Sequence, residues 1–289
     1  MVSASPTLMS PEYIRFQRMP HRVLARYVAI AGTQVLEIGG AQACISARAF
    51  LDDGAAGVTV TGLDHVAEES ESADRRLRIM KADALDLRRH FEADCFDLVF
   101  GLSVIEHIPH PDRLLVEVDR VLKPGGLALF EGYPLWWSPL GHHLWVAAWG
   151  GRYAGKTSAS YLFTGVPRVR ATNPVPDWAH LLMEREELEH YLALRSLPPP
   201  DIGCIADWIY EADDINRLST PELMRCYTTS PLTVLEAAVR RVDVPETTLH
   251  DLRCRHGDGC DFGAGGLTVV LRKPPRGGGV VPHLPSDPS

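Results

Sequence analysis

Short apolar runs alternate with mixed apolar and polar stretches along the first half of the chain. The runs that suit buried strands lie at residues 34–39, 58–64, within 76–83, at 96–101 and at 127–132. Helix signals fall between and before them. Starts marked by proline predict two short helices over 11–31, a further helix runs to about residue 52, and a short helix covers 84–93.

The clearest helix lies between the fourth and fifth predicted strands. His110-Pro111-Asp112 begins it and Gly125-Gly126 ends it. Its apolar residues have the spacing of one buried face: Leu114, Leu115, Val118, Val121 and Leu122. Strand, helix and strand in this order predict an α/β protein with a parallel sheet and right-handed crossovers.

The pattern changes after Gly132. Residues 133–215 are rich in Trp, His, Pro and Tyr, and they contain one clear helix signal, at 183–196. Thr220-Pro221 then begins another helix, followed by a long strand at 232–244, a helix at about 245–254 and a last strand at 266–273. Residues 274–289 are rich in Pro and Gly, which predicts a disordered tail.

Composition narrows the class of protein. The chain has 289 residues, 45% of them hydrophobic, and a formal net charge of −8 without any block of Lys and Arg, which argues against a nucleic-acid partner. No window of eighteen apolar residues predicts a membrane span. Six scattered cysteines without a signal peptide favour a reducing compartment, so we expect a soluble cytoplasmic protein.

Three predicted strands end in carboxylates: Glu37, Asp64 and Asp83. Ligands bind at the carboxyl ends of strands in open sheets of this kind. Three carboxylates suit a ligand that presents an ammonium group, a ribose diol and an adenine amine, and they would repel a diphosphate. The alternative is that each acid caps the helix that follows it. A nicotinamide oxidoreductase would need G-x-G-x-x-G, where Ala41 and Cys44 stand instead of glycines.

The order of elements resembles the class I S-adenosylmethionine-dependent methyltransferases, from about residue 33 to 132 and again from 219 to 273. VLEIGGAQA stands where the family has a strand followed by E/D-x-G-x-G-x-G, with Ala41 and Ala43 in place of the second and third glycines. The stretch FDLVFGLSVIEHIPHPDRLLVEVDRVLKPGGLALFEG is similar to the family almost throughout.

This resemblance implies a doubly wound, seven-stranded, Rossmann-like sheet with an antiparallel last strand. It also implies a division of the chain into an N-terminal helical lid (1–31), a cofactor-binding core (32–132), a substrate cap inserted between strands five and six (133–215), the C-terminal part of the core (216–273) and the tail (274–289).

The implied cofactor is S-adenosyl-L-methionine. Glu37 would orient its ammonium group, and Asp64, with His65 beside it, would bind the ribose. Asp83 and Ala84 would hold the adenine. The remaining cofactor contacts implied by the family are the backbone of Gly39, Gly40 and Ala41 and the loop of Gly101, Leu102 and Ser103.

The cap offers candidates for the acceptor site. Tyr133, Trp136 and Trp137 could wall an apolar pocket, or they could pack the insertion onto the sheet. Tyr210 near the end of the cap and Tyr13 on the lid are further candidates for substrate contacts.

Histidines are the candidates for the base. His142 and His143 are adjacent, so we expect one to face inward and the other outward, and either could act as the base. His107 follows Glu106, and in a subset of the family E-x-x-E-H binds a divalent metal. Ser103 replaces the first Glu here, so we expect no metal.

The sequence therefore predicts an S-adenosylmethionine-dependent methyltransferase that acts on a small molecule, with oxygen as the favoured acceptor atom and a histidine assisting. The alternatives are N- or C-methylation, a metal-assisted O-methyltransferase, and a non-catalytic S-adenosylmethionine-binding protein of the same fold. Secondary metabolism and a homodimeric state complete the expectations.

Overall fold

A computed structural model describes residues 11–40, 44–62, 68–144, 174–197, 199–211, 213 and 215–276. An eight-stranded sheet forms its centre, in the order β3-β4-β2-β1-β5-β6-β8-β7. The strands are β1 Gln34–Ile38, β2 Gly57–Gly62, β3 Ser70–Glu71, β4 Leu77–Lys81, β5 Phe96–Leu102, β6 Leu122–Gly132, β7 Thr233–Arg241 and β8 Ala264–Arg272.

The sheet is parallel from β4 through β6, and β8 runs antiparallel between β6 and β7. The predicted fold class, including the antiparallel last strand, is thereby confirmed. The eighth strand is the two-residue β3, which pairs antiparallel with β4. Because β1, β2, β4, β5 and β6 run in one direction, their carboxyl ends share one side of the sheet, which we call the carboxyl edge.

Helices cover both faces of the sheet. Val35 and Leu36 are successive residues of β1 and belong to different buried clusters, since side chains alternate between faces along a strand. One cluster packs under the helices at residues 111–121 and 220–229, and the other under the helices at residues 19–24 and 45–52. The α-helices are α1 Pro11–Gln17, α2 Met19–Leu24, α3 Ile45–Asp52, α4 Pro111–Val121, α5 Ala179–Leu182, α6 Arg185–Ala193, α7 Pro199–Tyr210, α8 Thr220–Thr229 and α9 Glu246–His256. Among the described residues, none of these helices has the length and apolar character of a membrane span.

Two local predictions were wrong. The helix expected over 84–93 is only a 3-10 turn at Leu87–Arg89, because the Arg88 backbone N–H donates to Glu117 Oε2 on α4 (2.9 Å) instead of continuing a helix. The cap, with one predicted helix, has three in its described part: α5, α6 and α7. The prolines that begin α7 mask its signal, although Ile205, Trp208 and Ile209 form its buried face.

The packing of Phe100 gives a stability prediction. Phe100 in β5 is fully buried and stacks on Phe50 of α3 with ring centroids 5.0 Å apart. Phe100→Ala should lower the free energy of unfolding by about 3–5 kcal/mol, the usual range for truncating a buried aromatic side chain. Val116 is exposed on α4, so Val116→Ala should change it by less than about 0.5 kcal/mol. Urea denaturation followed by circular dichroism measures both, and equal effects would contradict the assignment of the core.

Candidate functional site

The turn after β1 is tight because two glycines stand where side chains would collide. Gly39 has φ +72°, and a Cβ on it would lie 2.4 Å from Val104 Cγ2. A Cβ on Gly40 would lie 2.3 Å from Val60 Cγ1 and 2.9 Å from Glu37 Cδ. The backbone therefore passes close to its neighbours here, as the sequence predicted for a cofactor loop. Ala41, the third residue of that prediction, lies outside the described residues.

Glu37 is a buried carboxylate at the end of β1. Its side chain is 5% exposed, and Oε2 has no hydrogen-bond partner. Burial raises the pKa of Glu37 to about 8, although the Ser46 hydroxyl and the Ala47 backbone N–H, both in the first turn of α3, act to lower it. A buried carboxylate without a partner is costly, so this atom is suited to a hydrogen-bond donor or a cation supplied by a ligand.

The N-terminal helix α1 lies beside this carboxylate. Gln17 Oε1 accepts a hydrogen bond of 2.7 Å from the Ser46 hydroxyl, which joins the end of α1 to α3. Tyr13 is 44% exposed, and its pKa is raised first by partial burial and then by the charge of Glu37. Tyr13, a substrate candidate from the sequence, therefore lies near Glu37.

The end of β5 carries the next group of candidates. A Cβ on Gly101 would lie 2.4 Å from Val104 Cγ1, so this position also needs glycine. Ser103 follows with φ +47°, and its backbone N–H donates to the Glu131 carbonyl (2.8 Å) and to Glu131 Oε2 (3.2 Å). Leu102, between them, is half-buried.

Glu131 was not among the residues predicted for the site. It is 5% exposed at the end of β6, and burial raises its pKa to about 7. The signal that could have found it is an acidic residue one position before the end of the fifth predicted strand, in the same relation to its strand as Glu37.

A second buried acid, Glu106, lies beneath this group. It is 1% exposed, and burial, followed by the charge of Glu131, raises its pKa to about 8. Glu106 Oε1 accepts from the Tyr133 backbone N–H at 3.1 Å, while Oε2 and the nearby hydroxyl of Tyr227 have no hydrogen-bond partner. Asn216, the first residue after the cap, fixes the end of the cap to the same turn by donating to the Ile105 and Ile108 carbonyls (2.7 and 2.9 Å).

The adenine and ribose candidates are only partly described. Asp83 is exposed after β4, and its Oδ1 accepts from the Leu85 backbone N–H at 2.8 Å, while Ala84 is nearly buried. This bond closes an Asx turn rather than capping a helix, since the 3-10 turn that follows has Asp86 at its N-cap, and the second oxygen of Asp83 stays available. Asp64 and His65 lie outside the described residues.

The two adjacent histidines are both buried, at 1% for His142 and 4% for His143, so the expectation that one faces outward was wrong. His143 has φ +52°, and this left-handed turn keeps both rings inside. His142 Nδ1 accepts from the Leu144 backbone N–H (3.0 Å), and His143 Nε2 lies 2.6 Å from the Pro134 carbonyl. His107 is exposed, and its ring meets that of His143 edge to face at 5.0 Å.

The aromatic candidates of the cap separate into two groups. Trp136 and Trp137 pack within the cap and against α9: the Trp136 ring lies 4.7 Å from His180, and Trp137 Nε1 donates to the Arg217 carbonyl at 3.1 Å. Tyr210 donates its hydroxyl proton to the Met183 carbonyl (2.8 Å). Only Tyr133 adjoins the carboxyl edge directly, one residue after β6.

A small cavity of about 30 Å³ lies beside Tyr133, with room for about one water molecule. The buried Ser138 hydroxyl has no hydrogen-bond partner and lines it. The complete lining is Tyr133, Pro134, Ser138, Pro139, Leu140, Val242 and Gly265. In the described ranges, no group of three or more His, Cys, Asp or Glu side chains is arranged to hold a metal ion.

Comparison with known proteins finds a family match over the first part of the core. Residues 36–130 match the family described as a methyltransferase domain. An uncharacterized methyltransferase of Mycobacteroides abscessus is 34% identical over 127 residues, which cover 41% of this chain and 46% of that protein. The chain thus matches less than half the length of this curated relative.

Two solved structures are similar over most of the chain. An S-adenosylmethionine-dependent methyltransferase from Mesorhizobium loti has 17% identity and a TM-score of 0.46, covering 89% of this chain and 97% of its own. A chain solved in complex with the Haloferax volcanii Trm112 methyltransferase activator has 16% identity and a TM-score of 0.49, covering 92% of both chains.

Burial of Glu106 predicts a pH dependence of stability. Its pKa is raised from 4.5 to about 8, so the folded protein holds a proton that the unfolded chain loses. The stabilisation is complete below pH 4.5 and is lost as the pH rises through 8. In the wild type, this group makes the free energy of unfolding fall by about 1.4 kcal/mol per pH unit between pH 5.5 and 7. Glu106→Gln should remove this contribution, so the free energy of unfolding of the variant should fall less steeply with pH. Urea titrations across this range measure the slope. The exposed Glu71→Gln is the control, and an unchanged slope in Glu106→Gln would contradict the prediction.

Proposed function

We propose that this chain is a class I S-adenosylmethionine-dependent methyltransferase that transfers a methyl group to a small-molecule acceptor, and the match of residues 36–130 to a methyltransferase domain supports this. The observation that carries the proposal is Glu37, a buried carboxylate with an unpartnered oxygen beside a glycine turn that no larger residue fits. A ligand with an ammonium group satisfies this atom.

The residues present fit S-adenosylmethionine. Glu37 would hold the ammonium, the Gly39 and Gly40 backbone would lie against the methionine portion, and Asp83 would accept from the adenine amine. When bound, the cofactor supplies an electrophilic methyl group on a sulfonium. The protein's own contribution is to hold the acceptor in line and exclude water, which can lower the barrier by roughly 7–11 kcal/mol.

We propose that the acceptor atom is oxygen and that a histidine assists. Methylation of a hydroxyl releases a proton, and a positioned base contributes about 10²–10⁴-fold to the rate. Among the three histidine candidates, His107 has the exposed ring, on the turn that follows β5, with His143 against it and His143 in turn bonded to the Pro134 carbonyl. His142 lies deeper, with its ring 5.3 Å from His180.

Other expectations from the sequence stay predictions. These are the cytoplasmic location, the homodimer, a role in secondary metabolism, and the alternatives of N- or C-methylation, of metal assistance and of binding without catalysis. The described cysteines are all free thiols.

Glu37 and the cofactor give a binding prediction. Because the pKa of Glu37 is about 8, the free protein carries a proton there at pH 7, and binding an ammonium group should release it. Calorimetry with S-adenosylhomocysteine, which keeps the ammonium, in two buffers of different ionisation enthalpy measures this release. Glu37→Gln should abolish it and weaken binding by about 1.5–3 kcal/mol, the contribution of a hydrogen bond to a charged group.

Two further variants complete this test. Asp64→Ala should weaken binding by a similar amount if Asp64 holds the ribose, and the exposed Glu71→Gln should behave like the wild type. Failure of S-adenosylhomocysteine to bind the wild-type protein would overturn the proposed function.

The histidine proposal has its own test. Methyl transfer from labelled S-adenosylmethionine is measured with a panel of small-molecule hydroxyl acceptors, with and without EDTA. His107→Ala should lower the rate by about 10²-fold or more with unchanged cofactor affinity. The exposed His190→Ala, on α6, should have no effect. Full activity in His107→Ala, or loss of activity with EDTA, would remove the metal-free histidine mechanism.

A further inference from the structure

Two charged side chains, Glu131 and Arg240, lie on one face of the sheet at its carboxyl edge. Glu131 of β6 pairs with Thr268 of β8. Arg240 of β7 pairs with Gly266, two residues away on the same strand. Because side chains alternate between faces, residues in these two rows project to the same side. The Tyr133 ring lies over Gly266, where a Cβ would come within 3.2 Å of it.

One carboxylate oxygen of Glu131, Oε2, accepts hydrogen bonds, and the other, Oε1, accepts none from the described residues. Ser103 donates to Oε2 through its backbone N–H (3.2 Å) and more weakly through its hydroxyl (3.4 Å). Within the described part of the chain, no donor reaches Oε1. Burial raises the pKa of Glu131 to about 7, while the two hydrogen bonds from Ser103 and then the nearby Arg240 charge act to lower it.

Arg240 is exposed on β7, and its side chain stacks on Tyr133 without using its hydrogen-bond donors. Its guanidinium lies over the Tyr133 ring, 4.1 Å from the centroid. Among the described residues it forms no ion pair and no hydrogen bond. The arginines around it differ: Arg241 pairs with Asp261 at 2.5 Å, and Arg26 pairs with Glu236 at 2.7 Å. A guanidinium fixed by stacking and left unpaired is suited to a carboxylate, which it can bind through two N–H groups.

We propose that Glu131 and Arg240 form a two-point binding site for the methyl acceptor, and that the acceptor is a small hydroxycarboxylic acid. This inference rests on the proposed function. Arg240 binds the carboxylate of the acceptor, and Oε1 of Glu131 accepts a hydrogen bond from its hydroxyl. This contact gives the hydroxyl proton to Glu131 instead of His107, and the His107→Ala assay described above distinguishes the two. Ser103 positions Glu131, and Tyr133 positions Arg240.

Two features of the site select this class of ligand. A simple amine would satisfy Glu131 but would be repelled by Arg240, and a simple carboxylic acid would leave Oε1 of Glu131 without a donor. A hydroxyl donates without adding positive charge, so a hydroxy acid satisfies both groups. The Ser103 loop that holds Glu131 is also the loop that the family places beside the methionine portion of the cofactor, which brings the hydroxyl towards the methyl group.

Equilibrium binding tests the proposal without measuring turnover. Calorimetry, with and without S-adenosylhomocysteine, is carried out with salicylate, 4-hydroxybenzoate and 3-hydroxybutyrate. Each acid is compared with its methyl ester and with the acid that lacks the hydroxyl. At least one hydroxy acid should bind the wild type roughly ten- to a hundredfold more tightly than either partner compound, because hydrogen bonds to charged groups contribute about 1.5–3 kcal/mol.

Variants assign each preference to its residue. Arg240→Gln should remove the preference for acid over ester and keep the preference for the hydroxyl. Glu131→Gln, whose amide oxygen can still accept from Ser103, should do the opposite. Arg241→Gln, next to Arg240 on the same strand and paired with Asp261, should match the wild type.

The outcomes separate this site from the proposed function. If S-adenosylhomocysteine binds but no hydroxy acid binds the wild type at millimolar concentration, the two-point site is wrong and the methyltransferase stands. Equal binding of acid and ester, or an acid preference that survives in Arg240→Gln, also overturns it. Tighter binding of 3-aminobutyrate than of 3-hydroxybutyrate would replace the hydroxyl by an ammonium and overturn the assigned class.

Discussion

The carboxyl edge depends on one side chain, Val104, packed between the ends of β1 and β5. A Cβ on Gly39 or on Gly101 would lie 2.4 Å from its methyl groups, so both strand ends need glycine for Val104 to fit. This packing fixes the path of the backbone before and after Val104. Before Val104, Ser103 takes a positive φ and turns its N–H towards Glu131. After Val104, Glu106 is directed under the cap, where it accepts from Tyr133.

The same edge concentrates three buried carboxyl groups, Glu37, Glu106 and Glu131, whose pKa values are raised to about 8, 8 and 7. When such a group is ionised, each pH unit by which its pKa lies above the ordinary value costs about 1.4 kcal/mol of folding stability. Glu37 and Glu106 each leave an oxygen without a hydrogen bond, and the described residues supply no donor to Oε1 of Glu131. An edge selected for stability alone would carry apolar residues or complete pairs, so the unfilled oxygens at Glu37 and Glu131 indicate sites for donors that come with ligands. Glu106 is 1% exposed and accepts a hydrogen bond from the Tyr133 backbone N–H, so it supports the start of the cap rather than a ligand.

The sheet and the positions of the cofactor candidates at its carboxyl edge could be predicted from sequence because both depend on local signals. Continuous apolar runs, proline and glycine at helix ends, and acids at strand ends are visible residue by residue, and they located Glu37, Asp83 and the Gly101 to Ser103 loop correctly at one edge. The acceptor side depends on pairing between distant strands. Arg240 gains its place only through β7 and β8, and nothing near residue 240 in the sequence marks it. His142 and His143 are likewise both buried because His143 takes a positive φ. The expectation that neighbouring side chains point in opposite directions does not anticipate this.

In the proposed function, the cap and the sheet have different parts in recognising the methyl acceptor. In the cap, buried side chains form hydrogen bonds with backbone carbonyls. His180 bonds to the Trp136 carbonyl, Trp208 donates to the His142 carbonyl, and His143 bonds to the Pro134 carbonyl. Burial lowers the pKa of His180 to about 4, so this ring is neutral and serves as a fixed link rather than as a charge. Such bonds hold the described part of the cap in position. In the proposed acceptor site, by contrast, the charged side chains of Glu131 and Arg240 stand on strands of the sheet. We therefore propose that the sheet selects the acceptor by its charged and hydroxyl groups, while the cap limits its shape.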